Sequence, residues 1–301
     1  MTPTMQNVIP PALTPVDAFT LGEISCQRLC LLLKQWSGVC VDASKAYLIQ
    51  GRLRGLMAKE QLSDLTDLLD RAERPANAEL RNRIVDMMTT HETLFFRDKH
   101  PFDSLVNKIV PELISDRSRF SRPIEIHCAA CSSGQEPYSI AMLLRERLSA
   151  SDLQQIHISA SDVSVGTIET ARKGEFMDHE LRRGLTPEQR RRFFEMVPGP
   201  IGSPDARLTN EIRDMVRFSV MNLTATPCGL PQNIDILLCR NVLIYFDDET
   251  RRRVLINLAR AIRPGGLLML GSSEVLRETT GLFQSETIGT TVVHRRNEKP
   301  S

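Results

Sequence analysis

From Glu23 to about Arg119 the apolar positions recur with a helical period. The stretch EISCQRLCLLLKQW places Ile24, Cys26–Leu29 and Leu31–Leu33 on one broad face, and Gly38 supplies a stop. SKAYLIQGRLRGLMAKE and LSDLTDLLDRA continue the pattern. Thr89 followed by Glu92 is spelled like a capping box, which predicts a new helix beginning there. After Pro123 the period changes. Strand-like runs appear at IEIHCA, IHISASD, VRFSVMN, IDILLCRN and GGLLMLGSS, and helical patterns such as EPYSIAMLLRERL and DETRRRVLINLARAI separate some of them. This alternation predicts a mainly parallel sheet with helices on both faces, and the apolar character of IDILLC suits a strand covered on both sides. LFQSETIGTTVVHRR predicts an antiparallel edge hairpin around Gly289.

One connection is oversized. Between ARKG and VRFSVMN lie about forty residues, where a simple crossover needs far fewer. They include a helix with Thr186 as cap and Pro187 in its first position. Such an insertion is either a tolerated surface excursion or a partner-recognition element.

Composition narrows the function classes. At 301 residues, 38 Lys+Arg against 37 Asp+Glu leave a formal charge of +1, which gives no general argument for nucleic acid or an anionic membrane. Eleven Phe, three Tyr and one Trp add little support for RNA. No apolar run is long enough to span a bilayer, and the first residues lack a signal-peptide pattern, so a cytoplasmic protein is expected. Residues 1–19 hold four prolines and little periodicity, and a disordered tail is expected there. Seven scattered cysteines suit reduced, buried thiols. Cys128 and Cys131 form a C-x-x-C, but no cation flanks them and no second ligand pair is spaced for zinc, so packing is the favoured reading and no metal is expected.

The candidate chemistry lies after the first strand. The loop holding Ala129, Ala130, Ser132, Ser133 and Gly134 lets a ligand approach the backbone, as a glycine-rich loop would. It lacks a P-loop lysine, and Glu136 at the helix start would repel phosphate and welcome a cation. Asp162, ending the second strand, is placed for the two hydroxyls of a ribose. Together these describe a positively charged nucleoside without phosphate, and S-adenosylmethionine fits. Asn222 and Asn241, after the next two strands, are either turn formers or further contacts at the same sheet edge.

With these residues in hand, the chain resembles the chemotaxis receptor methyltransferase (CheR) family. The matching stretches are TTHETLFFRDKHPF, CAACSSGQEPYSIAM, ISASDVS, GLTPEQRRRFF, VRFSVMNL and DILLCRNVLIYF, in family order from about residue 20 to 295. The resemblance implies an α/β fold: a small all-helical N-terminal domain (20–88), then a Rossmann-like S-adenosylmethionine-dependent methyltransferase domain (89–301). A small β-subdomain that touches the receptor is inserted at about 175–215. Cofactor contacts carried over by position fall on His91, Thr93, Arg97, Glu136, Asp162, Asn222, Leu223, Asn241 and Val242. His91 stands where the family usually has Asn.

The implied reaction esterifies glutamate side chains of bacterial chemoreceptors and leaves S-adenosylhomocysteine. A carboxylate is already ionised at neutral pH, so no general base is needed. Arg97 is expected to orient the substrate carboxylate, with Tyr245 as a second candidate in the site. The partner implied is the helical cytoplasmic domain of the receptors (methyl-accepting chemotaxis proteins), met by a monomer without membrane insertion. Lys45, Arg52 and Lys59 recur at seven-residue spacing, with Arg54 nearby, and form either a solvated face or a docking row for that acidic helix. The alternatives are methylation of another acceptor and a non-catalytic cofactor-binding signalling module.

Overall fold

Leucines at helical spacing build a first bundle of four helices: α1 (Glu23–Ser37), α2 (Ala46–Lys59), α3 (Leu65–Ala72) and α4 (Ala78–Met88). Leu29, Leu33, Ile49, Leu53, Leu65 and Ile84 meet in a core of their own. The computed structural model describes residues 21–116, 122–197, 202, 205–276 and 281–298, so the tail expected at 1–19 lies outside the described residues.

No helix begins at Thr89. Its hydroxyl donates back to the Val85 and Asp86 carbonyls at 2.9 and 3.1 Å, closing α4 instead of opening a new helix. Glu92 is taken up by Arg183 at 3.2 Å, so neither half of the expected capping box is available. The chain stays irregular to α5 (His100–Ser104), which runs through a π-helical turn, Leu105–Ile109, into α6 (Val110–Ser115).

The second part is a seven-stranded sheet. It comprises β1 (Ile124–Ala129), β2 (Ile156–Asp162), β6 (Val216–Val220), β7 (Ile234–Cys239), β8 (Ile262–Leu270), β9 (Phe283–Ile288) and β10 (Thr291–Arg296) in the order β6-β2-β1-β7-β8-β10-β9. The first five are parallel. The hairpin β9–β10 turns at Gly289 and adds antiparallel to β8, as its alternation predicted. Every residue of β7 is buried, which explains its mostly apolar spelling; its one charge, Asp235, is paired with Arg122 at 2.9 Å and with Arg263. α7 (Gln135–Arg147), α8 (Ala150–Leu153), α9 (Val165–Lys173) and α13 (Asp248–Ala261) belong to its crossovers, and separate apolar clusters pack the sheet's two faces.

The oversized connection folds into a three-stranded antiparallel sheet, β3 (Glu175–Phe176), β4 (Phe194–Met196) and β5 (Ala206–Leu208), ordered β3-β5-β4. With it come α10 (Asp178–Arg182), α11 (Pro187–Phe193) and α12 (Asn210–Arg213). Thr186 caps α11, accepting from the Gln189 N–H at 3.1 Å. This insertion grips the irregular segment after α4: Phe95 stacks edge-on with Phe176 and Phe194 at 5.0 and 5.8 Å. Gly184, at φ 117°, lies so close that a Cβ there would run into the Phe95 carbonyl.

Candidate active site

β1 has β2 on one side and β7 on the other, so the strand order reverses at its carboxyl end and leaves a crevice there. The loop leaving β1 uses little glycine because Ala130 (φ 57°) and Ser132 (φ 51°) themselves take the left-handed conformation, which few side chains tolerate. Two bonds hold them in it. Cys131 N–H donates to the Ser161 carbonyl at 3.0 Å, and Ser132 N–H to Asp162 Oδ2 at 2.8 Å. Asp162 Oδ1 accepts the Ser164 N–H at 3.0 Å. The carboxylate is only 7 % exposed, and burial pushes its pKa up against these two stabilising bonds. Each oxygen keeps a lone pair for a further donor.

Glu136 opens α7 with a partner already in place. Its Oε2 accepts from Arg240 Nη1 at 2.7 Å, and Arg240 Nη2 donates to Asp98 Oδ2 at 2.8 Å and to the Arg97 carbonyl at 2.9 Å. Arg240 is 1 % exposed and lies over the Phe102 ring at 5.5 Å. One buried guanidinium therefore ties the start of α7 to the strained segment where Phe96, Asp98 and Lys99 all have positive φ. Arg97 points elsewhere. Among the described residues its guanidinium makes one hydrogen bond, to the Glu92 carbonyl at 3.4 Å, and no ion pair. His91 directs Nε2 at the Asp86 carbonyl, 2.9 Å away, which makes that nitrogen the donor; among the described residues Nδ1 has no hydrogen-bond partner.

A cavity of about 290 Å³ occupies the crevice, and all ten residues singled out from the sequence line it: His91, Thr93, Arg97, Glu136, Asp162, Asn222, Leu223, Asn241, Val242 and Tyr245. The C-x-x-C pair faces inward. Cys128 and Cys131 are buried, and burial pushes both thiols well up, away from reactive thiolate.

Residues 25–89 match the family model for the CheR methyltransferase all-alpha domain, and residues 91–292 match that for the CheR methyltransferase SAM-binding domain. The chain belongs to the CheR methyltransferase family. It is 39% identical over 271 residues to the chemotaxis protein methyltransferase of Vibrio parahaemolyticus, covering 89% of this chain and 95% of the relative. The chemotaxis protein methyltransferase 1 of Vibrio cholerae is 38% identical over the same shares, and that of Escherichia coli 31% over 258 residues, 86% of each chain. The protein is thus an S-adenosylmethionine-dependent methyltransferase of chemotaxis.

The donor set of this CheR cavity fits that cofactor. An acid with a spare oxygen at a helix start, a buried carboxylate with two free lone pairs and a loop open to the backbone suit an ammonium, a ribose and a purine, not a phosphate chain. Asn222 is also a turn former. Its Oδ1 accepts from Thr224 N–H at 2.9 Å and its Nδ2 donates to the Trp36 carbonyl at 2.7 Å, while the Asn222 and Leu223 carbonyls accept from the Ala225 N–H at 3.1 Å and Asn257 Nδ2 at 2.9 Å.

Sequence reasoning missed two parts of the site. Val39, Cys40, Val41, Asp42, Lys45 and Leu48, all from the helical bundle, form one wall. Arg240 was the other, although it sits inside the quoted DILLCRNVLIYF. The basic row on α2 also divides: Arg52 donates to the Met88 and Thr89 carbonyls at 2.7 and 3.0 Å, so it locks α4 to α2 and does not belong to a solvated row.

Proposed function

We propose that this cavity binds S-adenosylmethionine and directs methyl transfer to glutamate side chains of chemoreceptors, with Glu136 beside the ammonium, Asp162 on the ribose and Asn222–Leu223 against the adenine. His91, Thr93, Asn241 and Val242 complete the cofactor's surroundings. When bound, the cofactor supplies an electrophilic methyl group on a sulfonium. The chain's own work is binding, alignment and exclusion of water, which together supply several kcal/mol in reactions of this kind. A glutamate carboxylate, with an ordinary pKa near 4.3, attacks without a base.

The observation that carries this reading is the contrast between two arginines in one cavity. Arg240 has both its terminal nitrogens engaged, by Glu136, Asp98 and the Arg97 carbonyl, whereas Arg97, with one long hydrogen bond to the Glu92 carbonyl, keeps its other donors for an incoming carboxylate. One guanidinium can hold one carboxylate oxygen and leave the other to react. Tyr245, lining the same cavity, is the second residue assigned to the substrate.

The partner proposed is the helical cytoplasmic part of the receptors, met by a monomeric enzyme in the cytoplasm. Among the described residues no helix is long and apolar enough to cross a membrane. Lys45, on the cavity wall, and Lys59, exposed at the far end of α2, are the cations offered to an acidic helix. The working division is a helical domain at 20–88, a methyltransferase domain at 89–301 and an inserted recognition subdomain at about 175–215.

The test is transfer from labelled cofactor to receptor-containing membranes. The label should leave as methanol in mild alkali, as a methyl ester does. Label that stays on protein through alkali means another acceptor, and no label at all refutes the reading.

A further inference from the structure

The ends of β7 and β8 are joined beside the cavity by one side chain. Glu274 ends a tight turn from Gly271, its N–H on the Gly271 carbonyl at 2.9 Å. Its carboxylate then folds back. Oε2 accepts the N–H groups of Asn241 at 2.7 Å and Gly271 at 2.8 Å, and Oε1 accepts that of Leu243 at 2.8 Å. Charge-assisted bonds of this length are among the stronger ones available to a backbone. Among the described residues no cation competes for the carboxylate.

What these bonds hold is unusual. Asn241 sits at φ 60°, a conformation that persists only where its surroundings impose it. Leu243 begins the 3-10 turn Leu243–Tyr245, and Asn241, Val242 and Tyr245 all line the cavity. The fit is close: a Cβ on Gly271 would stand 2.7 Å from Asn241 Nδ2 and 2.8 Å from Glu274 Oε2.

We infer that Glu274 is a positioning residue, whose carboxylate fixes Asn241 for the cofactor and the Leu243–Tyr245 turn for the substrate. This rests on the reading of the cavity given above. Glu274 itself reaches the reaction only through the two residues it holds.

The experiment is a pair of double-mutant cycles: Glu274→Gln alone and combined with Asn241→Ala or Tyr245→Phe. Affinity for S-adenosylhomocysteine is read by calorimetry, and kcat as alkali-labile methyl transfer to receptor membranes. The glutamine turns an NH2 toward N–H donors that need an acceptor. Glu274→Gln is expected to weaken binding about tenfold and to lower kcat about tenfold further, yet to add less than about threefold to the binding loss of Asn241→Ala or the kcat loss of Tyr245→Phe. Gly271→Ala keeps the glutamate but forces a methyl against its carboxylate and Asn241, so the junction must shift. It should reproduce both losses, and it carries the test if Glu274→Gln does not fold.

Unchanged affinity and kcat in a folded but less heat-stable Glu274→Gln, or losses that add in full, would overturn the inference. If Asn241→Ala and Tyr245→Phe themselves behave as wild type, the cavity reading falls and the inference with it. Defects in those two beside a wild-type Glu274→Gln overturn the inference alone.

Discussion

Arg97 and Arg240 show how far a side chain's partners decide its role. Arg97→Ala removes a guanidinium that, among the described residues, makes one long hydrogen bond to the Glu92 carbonyl and no ion pair, so the fold should tolerate it. Turnover is expected to fall about 100-fold or more, while affinity for S-adenosylhomocysteine changes less than about tenfold. Comparing kcat with calorimetric affinity checks the split, and unchanged turnover would remove Arg97 from the mechanism. Glu136 and Asp162 were legible in the sequence as cavity residues because one stands at a helix start and the other at a strand end, whereas Arg97, in the irregular segment before α5, came only with the family resemblance. Arg240 was not legible, because nothing in its spelling says that a charged side chain will be buried and shared between two acids. His91 was legible as a cavity residue, but not its bond to the Asp86 carbonyl, which depends on how α4 ends.

His127 is a second buried group with a measurable consequence. Its ring nitrogens lie 2.8 and 2.9 Å from the Ser159 and Ser161 hydroxyls, between β1 and β2, and burial lowers its pKa from 6.5 to about 4. The unfolded chain therefore binds a proton in a range where the native protein does not. This contribution to stability is complete above pH 6.5 and is lost as pH falls toward 4, by about 3 kcal/mol in all. Denaturant melts across that range should show the decline. His127→Gln, which keeps hydrogen-bonding capacity without the titration, should show a shallower one.

At the scale of elements, periodicity found the strands because burial on both faces leaves a mostly apolar run, as in IDILLC with its single Asp235, whereas one-sided exposure leaves alternation, as in TIGTTVV. It failed at Thr89. A threonine at a helix end can cap forward or bond backward, and only the neighbouring α2, with Arg52 already on the Met88 and Thr89 carbonyls, settles the choice. The insertion's length was legible, but its grip on Phe95 was not, since that contact joins segments some ninety residues apart, 95 to 184. Gly184→Ala tests it. The added methyl must push the Phe95 backbone, and Arg97 two residues on should move with it. Turnover should fall more than affinity for S-adenosylhomocysteine, with a lower melting temperature. Turnover equal to wild type would mean that the insertion supports the fold without setting the site.

For the whole molecule, the seam between the bundle and the sheet matters most. Asn222 holds the Trp36 carbonyl, the Cys40 N–H donates to the Tyr245 carbonyl at 2.9 Å, and Lys34 pairs with Asp247. The cavity opens along this seam, so a fragment starting at residue 89 would retain the acids and the loop but lose the surface opposite them. Its affinity for S-adenosylhomocysteine should drop about tenfold or more, read by calorimetry on the fragment and the full chain. Equal affinities would relegate the bundle to receptor contact. A cavity lined by residues of both units also binds their histories together. Neither half is free to be exchanged for a counterpart from a distant relative, because a replacement bundle must bring back matching atoms at Trp36 and Cys40 before the borrowed chamber closes.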